Sequence, residues 1–189
     1  MNPATVFDLE FTAWEHSLGE RWMAPGQFRE VVQIGAVKID ARTFAPLDEL
    51  NILVKPRINA RLSHFLENLT GVTNEAVAER GVDFAQAYAR FVAFCAGGTI
   101  CSFGRDDHVL EANLRLYGIA SAPPLPQHVN AALWLRQNGI ATEGQHACDV
   151  ARLCGAQFTG REHDALEDAR SVALGIETLV ARGAANPLL

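Results

Sequence analysis

Residues 6–11 read VFDLEF. Two carboxylates, Asp8 and Glu10, sit two positions apart inside an otherwise apolar run. Residues two apart on a strand point to one face. Asp8 and Glu10 therefore project together, while Phe7 and Leu9 point the other way. A surface strand with two solvated acids would show the same spacing, but the flanking Val6, Phe7, Leu9 and Phe11 suit a central strand better. Neighbouring carboxylates in such a strand must either protonate or be held by a cation.

Working outward, Thr5–Leu9, Val31–Ile39 (VVQIGAVKI) and Asn51–Lys55 (NILVK) read as three strands of an antiparallel meander. Gly35 in the second allows a bulge or a close backbone approach. Helical spacing of apolar residues follows in Arg61–Leu69 and Phe84–Cys95, the latter stopped by Gly97-Gly98. Thr99–Ser102 is a fourth strand. A helix opens near Asp106 and ends at Gly118, and Ser121–Pro126 is a proline-rich turn. Gln127–Val129 is a short fifth strand leading into a helix through Leu133 and Leu135. Cys148–Cys154 reads as a short helix and Ala165–Val180 as the last one. Strands followed by helices that alternate with two more strands give an α/β fold, a mixed sheet flanked by helices. Phe11–Arg29 fits no element. A connection of this length inside a domain is usually functional or mobile, and it carries Trp14, Arg21, Trp22 and Arg29.

Three further groups carry chemistry. TICSFGRDD places Asp106 and Asp107 before an apolar-faced helix, where either suits a cap or the helix dipole. The helix phase turns Asp106 inward, with Leu110 one turn on, and Asp107 toward solvent. HDALEDA places His163 and Asp168 five residues apart, Asp168 between Leu166 and Val172 in an apolar helix. There it could form a buried salt bridge with Arg170 or Arg161. His163, with an ordinary pKa near 6.5, is largely a free base at neutral pH. Four carboxylates that converge repel one another unless divalent cations hold them, and magnesium and manganese prefer such oxygen ligands. Two such ions about 3.5–4 Å apart promote in-line displacement at phosphorus. The set points to a two-metal phosphodiesterase.

At 189 residues the chain fits one domain, residues 1–189, and its 49% hydrophobic and 20% charged composition is that of an ordinary globular protein. No apolar run is long enough to span a bilayer. The N-terminus, MNPATVFDLE, has no basic segment or cleavage site of a secretory signal. Cys95, Cys101, Cys148 and Cys154 form no CxxC pair, so reduced thiols and a cytoplasmic location are expected. The C-x5-C spacing with His146 and His163 does not match a zinc module. A net charge of −6 argues against tight binding to long duplexes. It leaves room for a short single-stranded end reaching a metal-loaded cleft.

The D-x-E strand, the acid opening a middle helix and the H-x4-D helix together resemble the DEDDh family of 3′–5′ exonucleases. The likeness extends over VVQIGAVKID, LTGVTNEAV (Leu69–Val77), ICSFG and HDALEDA, nearly the whole chain. It implies a ribonuclease H-like fold and two Mg²⁺ or Mn²⁺ ions held by Asp8, Glu10, Asp106 and Asp168, with His163 as general base. It further implies single-stranded RNA or DNA 3′ ends as substrate. Many members are dimers, so a homodimer is a further expectation. Where many members follow the glutamate with Thr-Thr-Gly, this chain has Phe11-Thr12-Ala13-Trp14 and then the long loop. That is closer to the branch of histone-mRNA and small-RNA trimming exonucleases. Phe11, Thr12 and Trp14 are the candidate substrate-binding residues, Trp14 and Trp22 serving either to stack on bases or to pack the loop. The segment before Asp106 is one residue shorter than is common, which keeps Asp107 as the alternative third acid. Two rival readings are a catalytically idle nucleic-acid-binding module of the same fold and a ribonuclease H-like endonuclease.

Overall fold

In a computed structural model describing residues 2–20, 22 and 24–189, VFDLEF lies in β1 (Pro3–Phe11), the middle strand of a five-stranded sheet. β2 (Val31–Asp40) pairs with β1 antiparallel, and β3 (Pro46–Leu53) pairs with β2 antiparallel to form one edge. On the other side β4 (Thr99–Ser102) runs parallel to β1, and β5 (His128–Asn130) parallel to β4. The sheet is mixed, in order β3-β2-β1-β4-β5. The third strand begins at Pro46, earlier than its apolar NILVK run suggests. Residues 46–49 are exposed, and pairing with Val37–Ile39 rather than burial makes them a strand.

Helices cover both faces. Ala4 and Val6 of β1 pack with Val37, Ile39 and Cys101 under α6 (Ala131–Gln137), α7 (Val150–Leu153) and α8 (Ala165–Ala181). Phe7 and Leu9 point oppositely and pack under α4 (Phe84–Cys95) and α5 (Asp106–Leu116), with Phe91, Ile100 and Leu110. The strand alternation thus sends Asp8 and Glu10 to the α8 face.

Three more helices complete the chain. α1 (Ser17–Glu20) is one turn inside the long Phe11–Arg29 connection. α2 (His64–Thr70) starts later than the Arg61–Leu69 pattern implies, because Ser63 caps it by accepting from the Leu66 N–H. α3 (Asn74–Arg80) has no apolar spacing to announce it, since only Val77 is buried in it. Its signal is Thr73, which accepts from the Ala76 N–H. The region Cys148–Cys154 divides into a 3₁₀ turn at Ala147–Asp149 and α7. None of the described helices is long and apolar enough to cross a membrane.

The first turn of α8 lies directly on β2 at Gly35. A Cβ on Gly35 would stand 2.1 Å from the Ala165 carbonyl carbon and the Leu166 nitrogen. The glycine therefore serves a close backbone approach, not a bulge. Asp164 caps α8 by accepting from the Leu166 and Glu167 N–H groups. Gln33, opposite Glu10 in the ladder, holds the same turn from below: its Oε1 accepts from the Ala165 N–H at 3.2 Å. Buried Ala165, Asp168, Ala169, Val172 and Ile176 form the inward stripe of α8. Asp168 is thereby carried over β1.

Gly35→Ala should lower stability by about 1–3 kcal/mol, the usual range for overpacking, and it should shift α8 away from β1. Thermal unfolding checks the first effect. A melting temperature equal to wild type would show that α8 can yield without cost.

Candidate active site

The α8 face of β1 opens into a cleft of about 240 Å³ lined by Asp8, Glu10, Phe103, Asp106, His146, His163 and Asp168 among others. Each acid arrives by a separate device. Asp8 and Glu10 come from the alternation of β1. Asp106 is the first residue of α5, just past the end of β4, beside the parallel neighbour β1. Asp168 comes from the first turn of α8. His163 belongs to the connection before α8 and has φ +57°, a left-handed backbone that histidine adopts more readily than most non-glycine residues.

The carboxylates strain one another. Burial, then Asp106, then Glu10 and Asp168 push Asp8 well above the usual carboxylate range. Glu10 is raised in the same way, by burial and then by Asp168 and Asp106. Burial drives Asp106 up to about 7, against a hydrogen bond from Ser102 and the opposing charge of Arg29. Asp168 is also pushed to about 7, by burial and then by Asp164, Glu162 and Asp149. Asp168 Oδ1 is buried with no hydrogen-bond partner. A buried, orphaned carboxylate oxygen is costly and calls for a partner of opposite charge. The salt bridge to Arg170 or Arg161 does not form: Arg170 pairs with Glu49 and Glu167, and Arg161 lies against Gly71. Glu10, His163 and Asp168 each offer a ligand atom within 4.8 Å of the others, the one such group found among the described residues. Cys148 and Cys154 lie outside it, both buried thiols. Oxygen-rich donors, mutual repulsion and an orphaned oxygen fit hard divalent cations.

His163 is held below the ordinary histidine value, first by burial and then by His146, whose ring lies 5.5 Å away in an edge-to-face contact. It is a neutral base at pH 7.

Asp107 does not face solvent as its helix phase suggests. It is buried on the far side of Asp106, where Arg105 Nε and Nη2 donate to its two oxygens at 2.9 and 2.7 Å. His128 Nδ1 lies 3.5 Å from the same carboxylate. Burial opposes its charge, but Arg105 and His128 hold its pKa below the usual range. The physical reason is that α5 opens at a strand end, so both of its first residues meet neighbours. His128 Nε2 lies 2.9 Å from Ser102 Oγ, so Asp107, His128, Ser102 and Asp106 form a linked row of polar groups. The order resembles a hydrolytic triad, yet Ser102 is wholly buried. The row braces Asp106 and offers no exposed nucleophile. Neither Ser102 nor His128 stands out in the sequence, because their partners are brought in by the pairing of β4 with β5.

The long connection closes on itself. The Thr12 N–H donates to the Glu30 carbonyl, and the Glu30 N–H to Thr12 Oγ1, both at 2.9 Å. Thr12 is buried, its hydroxyl also bonded to the Phe28 carbonyl, so its side chain is spent on this closure. Trp22 Nε1 donates to the Thr12 carbonyl at 2.8 Å, and its ring packs edge-to-face on Phe11. Arg29 stacks over Trp22 at 4.2 Å from the ring centroid, which sets a cation near Asp106. Phe11 and Trp14 line a second, more apolar cavity of about 340 Å³ with Phe65, Leu66, Leu69 and His163. Arg21 lies outside the described residues. Fully buried Glu30, unremarkable in the sequence, accepts from the Arg57 and Ile58 N–H groups at 2.7 Å and from the Tyr117 hydroxyl at 2.6 Å.

A family model for the RNase T exonucleases matches residues 5–174. The chain belongs to this exonuclease family. It is thus a DEDDh 3′–5′ exonuclease by family, as the order of its acids and histidine indicates. Among solved structures it is similar to a full-length 3′-exonuclease, with a TM-score of 0.81 and 19% identity over 99% of this chain. It spans 62% of that protein's length. It is similar also to a 3′-exonuclease described as recognising the 3′ end of the histone mRNA stem-loop, with a TM-score of 0.80 and 19% identity over 99% of this chain and 84% of the other. A third is the nuclease domain of 3′hExo bound to rAMP, with a TM-score of 0.81 and 19% identity over 100% and 96% of the two chains. At these identities the structures share the ribonuclease H-like fold. No curated protein matches the chain by sequence.

The raised carboxylates make metal-free stability fall with pH. Their unfolded values lie near 4, and Asp106 and Asp168 rise to about 7 when folded. Stability they contribute is full below pH 4 and is lost as pH climbs through about 7. In EDTA the melting temperature should therefore drop between pH 5 and 8, and Mn²⁺ should flatten the drop. A metal-free profile that rises over that window would show that the acids are not crowded.

Proposed function

We propose that this exonuclease is divalent-metal-dependent and removes 5′-mononucleotides from single-stranded RNA or DNA 3′ ends. The observation that carries the proposal is Asp168 Oδ1, buried and unpartnered over β1 beside Glu10 and His163. Asp8, Glu10, Asp106 and Asp168 would hold two Mg²⁺ or Mn²⁺ ions, which supply charge neutralisation at the scissile phosphate and Lewis acidity toward water. His163, neutral at pH 7, takes the proton from the attacking water. The water oxygen bonds to phosphorus as the phosphorus–O3′ bond breaks, and the departing O3′ takes a proton from solvent, so the shortened strand leaves with a 3′ hydroxyl. Ser102 keeps the Asp106 carboxylate oriented, and the charge of Arg29 offsets part of the negative field at Asp106. The cavity beside Phe11 and Trp14 adjoins His163 and takes the terminal base by stacking. The rAMP of one similar structure, the mRNA 3′ end of another and the dA16 oligonucleotide bound by a similar exonuclease I support a single strand of either RNA or DNA as substrate.

A labelled-oligonucleotide ladder with Mg²⁺ or Mn²⁺ tests the reaction, and chelator should abolish it. Asp106→Asn should be inactive while Asp107→Asn keeps most turnover. Equal losses in the two would reassign the third acid.

His163→Ala should slow turnover by about 10²–10⁴-fold, the range for a lost general base, with Mn²⁺ affinity retained. The acid limb of the wild-type profile of kcat/KM should lie below pH 6.5 and vanish in the variant. Wild-type turnover in His163→Ala would reduce the histidine to a structural role.

Trp14→Ala should raise KM for oligonucleotides by roughly 5- to 100-fold, from about 1–3 kcal/mol of lost stacking, with little change in melting temperature. A large stability loss at unchanged KM would make it a packing residue.

A further inference from the structure

A cavity of about 540 Å³, more than twice the volume of the carboxylate cleft, lies at the exposed edge formed by β3. Three cations from three separate elements line it: Arg80 at the end of α3, Arg90 on α4 and Arg161 in the connection before α8. Arg105, Arg115, Arg152 and Arg170 are all in ion pairs. Arg80, Arg90 and Arg161, like several other arginines, are in none among the described residues, and what sets these three apart is that they share one cavity. The one carboxylate lining the cavity, Asp164, has both oxygens in use: Oδ1 accepts from the Leu166 and Glu167 N–H groups and Oδ2 from Gln33. Arg161 has its place because Gly71, at φ +72°, carries no side chain. A Cβ there would stand 2.0 Å from the guanidinium. In a chain of net charge −6, three guanidinium groups against the one carboxylate of Asp164 leave this cavity net positive, a concentration of charge that suits an anion.

The position selects the anion. Arg161 and Asp164 flank His163 in the chain, so the cavity and the cleft share one connecting segment. Leu66 and Leu69 of α2 line the apolar cavity beside His163, and Thr70 at the end of the same helix lines the arginine cavity. α2 has seven residues, about 10 Å at 1.5 Å per residue. The two cavities thus adjoin through α2 and the connection before α8, which gives a strand with its 3′ end in the cleft a route to the arginines. Guanidinium groups bind phosphate oxygens by paired N–H bonds. We propose that this cavity is a second nucleic-acid site, in which Arg80, Arg90 and Arg161 hold backbone phosphates of the substrate strand 5′ to the nucleotide being removed. This rests on the reading of the protein as an exonuclease on strand ends, and it makes affinity depend on strand length.

The test measures binding of fluorescein-labelled 3-mers and 12-mers of matched sequence, in Ca²⁺, to the full chain and to Arg80→Ala/Arg90→Ala and Arg80→Glu/Arg90→Glu. Both double variants should bind the 12-mer at least about tenfold more weakly. The slope of log K against log salt should shrink by about 0.7 for each phosphate no longer neutralised. Binding of the 3-mer in Ca²⁺ and its cleavage in Mg²⁺ or Mn²⁺ should stay at wild-type levels, as should the melting temperature. Wild-type affinity and salt slope for the 12-mer in the glutamate variant would overturn the proposal. So would an equal loss of affinity for the 3-mer, for a 5′-mononucleotide or for inorganic phosphate, which would indicate a small-anion site. A wild-type protein that binds the 12-mer through these arginines yet releases no mononucleotide with Mg²⁺ or Mn²⁺ would sink the exonuclease reading and leave the site standing.

Discussion

The backbone of α8 rests on a strand position that has no side chain, and the arrangement of the cleft follows from that contact. With Gly35 beneath Ala165 and Leu166, the first turn of the helix comes down to the sheet. Asp168 then stands over β1 beside Glu10. A methyl group at position 35 would lift the whole turn, because the atoms it meets are backbone and cannot swing aside. Gln33 and Asp164 then fasten the turn from both ends, Gln33 by accepting from the Ala165 N–H and Asp164 by capping. Packing thus decides the distance between carboxylates that, left alone, would move apart.

That enforced proximity has an electrostatic cost. Burial and mutual repulsion raise four carboxylates together, and one oxygen of Asp168 is left with no partner. Stability is given up at the place where charge is needed, a common feature of sites prepared for ligands. The surrounding structure offsets it with well-satisfied polar groups elsewhere. Glu30 is as buried as any core residue but collects backbone donors and a tyrosine hydroxyl. Asp107 sits next to the strained Asp106 in sequence and is stabilised by Arg105 and His128. Two adjacent aspartates therefore have opposite electrostatic fates.

The long connection after β1 divides its aromatics between support and exposure. Trp22 is committed by its hydrogen bond to Thr12 and by packing against Phe11 and Arg29. Trp14 instead lines the apolar cavity adjoining His163. One residue type in one loop thus serves as brace and as wall, and only the closure between Thr12 and Glu30 assigns which is which.

What the sequence alone determined was whatever depends on local periodicity. The alternation in VFDLEF placed Asp8 and Glu10 on one face, and the apolar stripe of the last helix turned Asp168 inward. The order of the acids and His163 was legible for the same reason, since it is a property of the chain. Strand and helix types were readable wherever one face is buried, and less so in β3, whose first half is exposed, and in α3, which buries one residue. The tertiary structure alone decided what depends on partners far apart in sequence. It chose between the salt bridge and the empty oxygen at Asp168. It buried Asp107 against His128, which arrives on a different strand beyond the proline-rich turn, and it brought Arg80, Arg90 and Arg161 to one cavity. A side chain's periodicity states which way it points, but its partner is set by how the sheet and helices stack, and no local pattern encodes that.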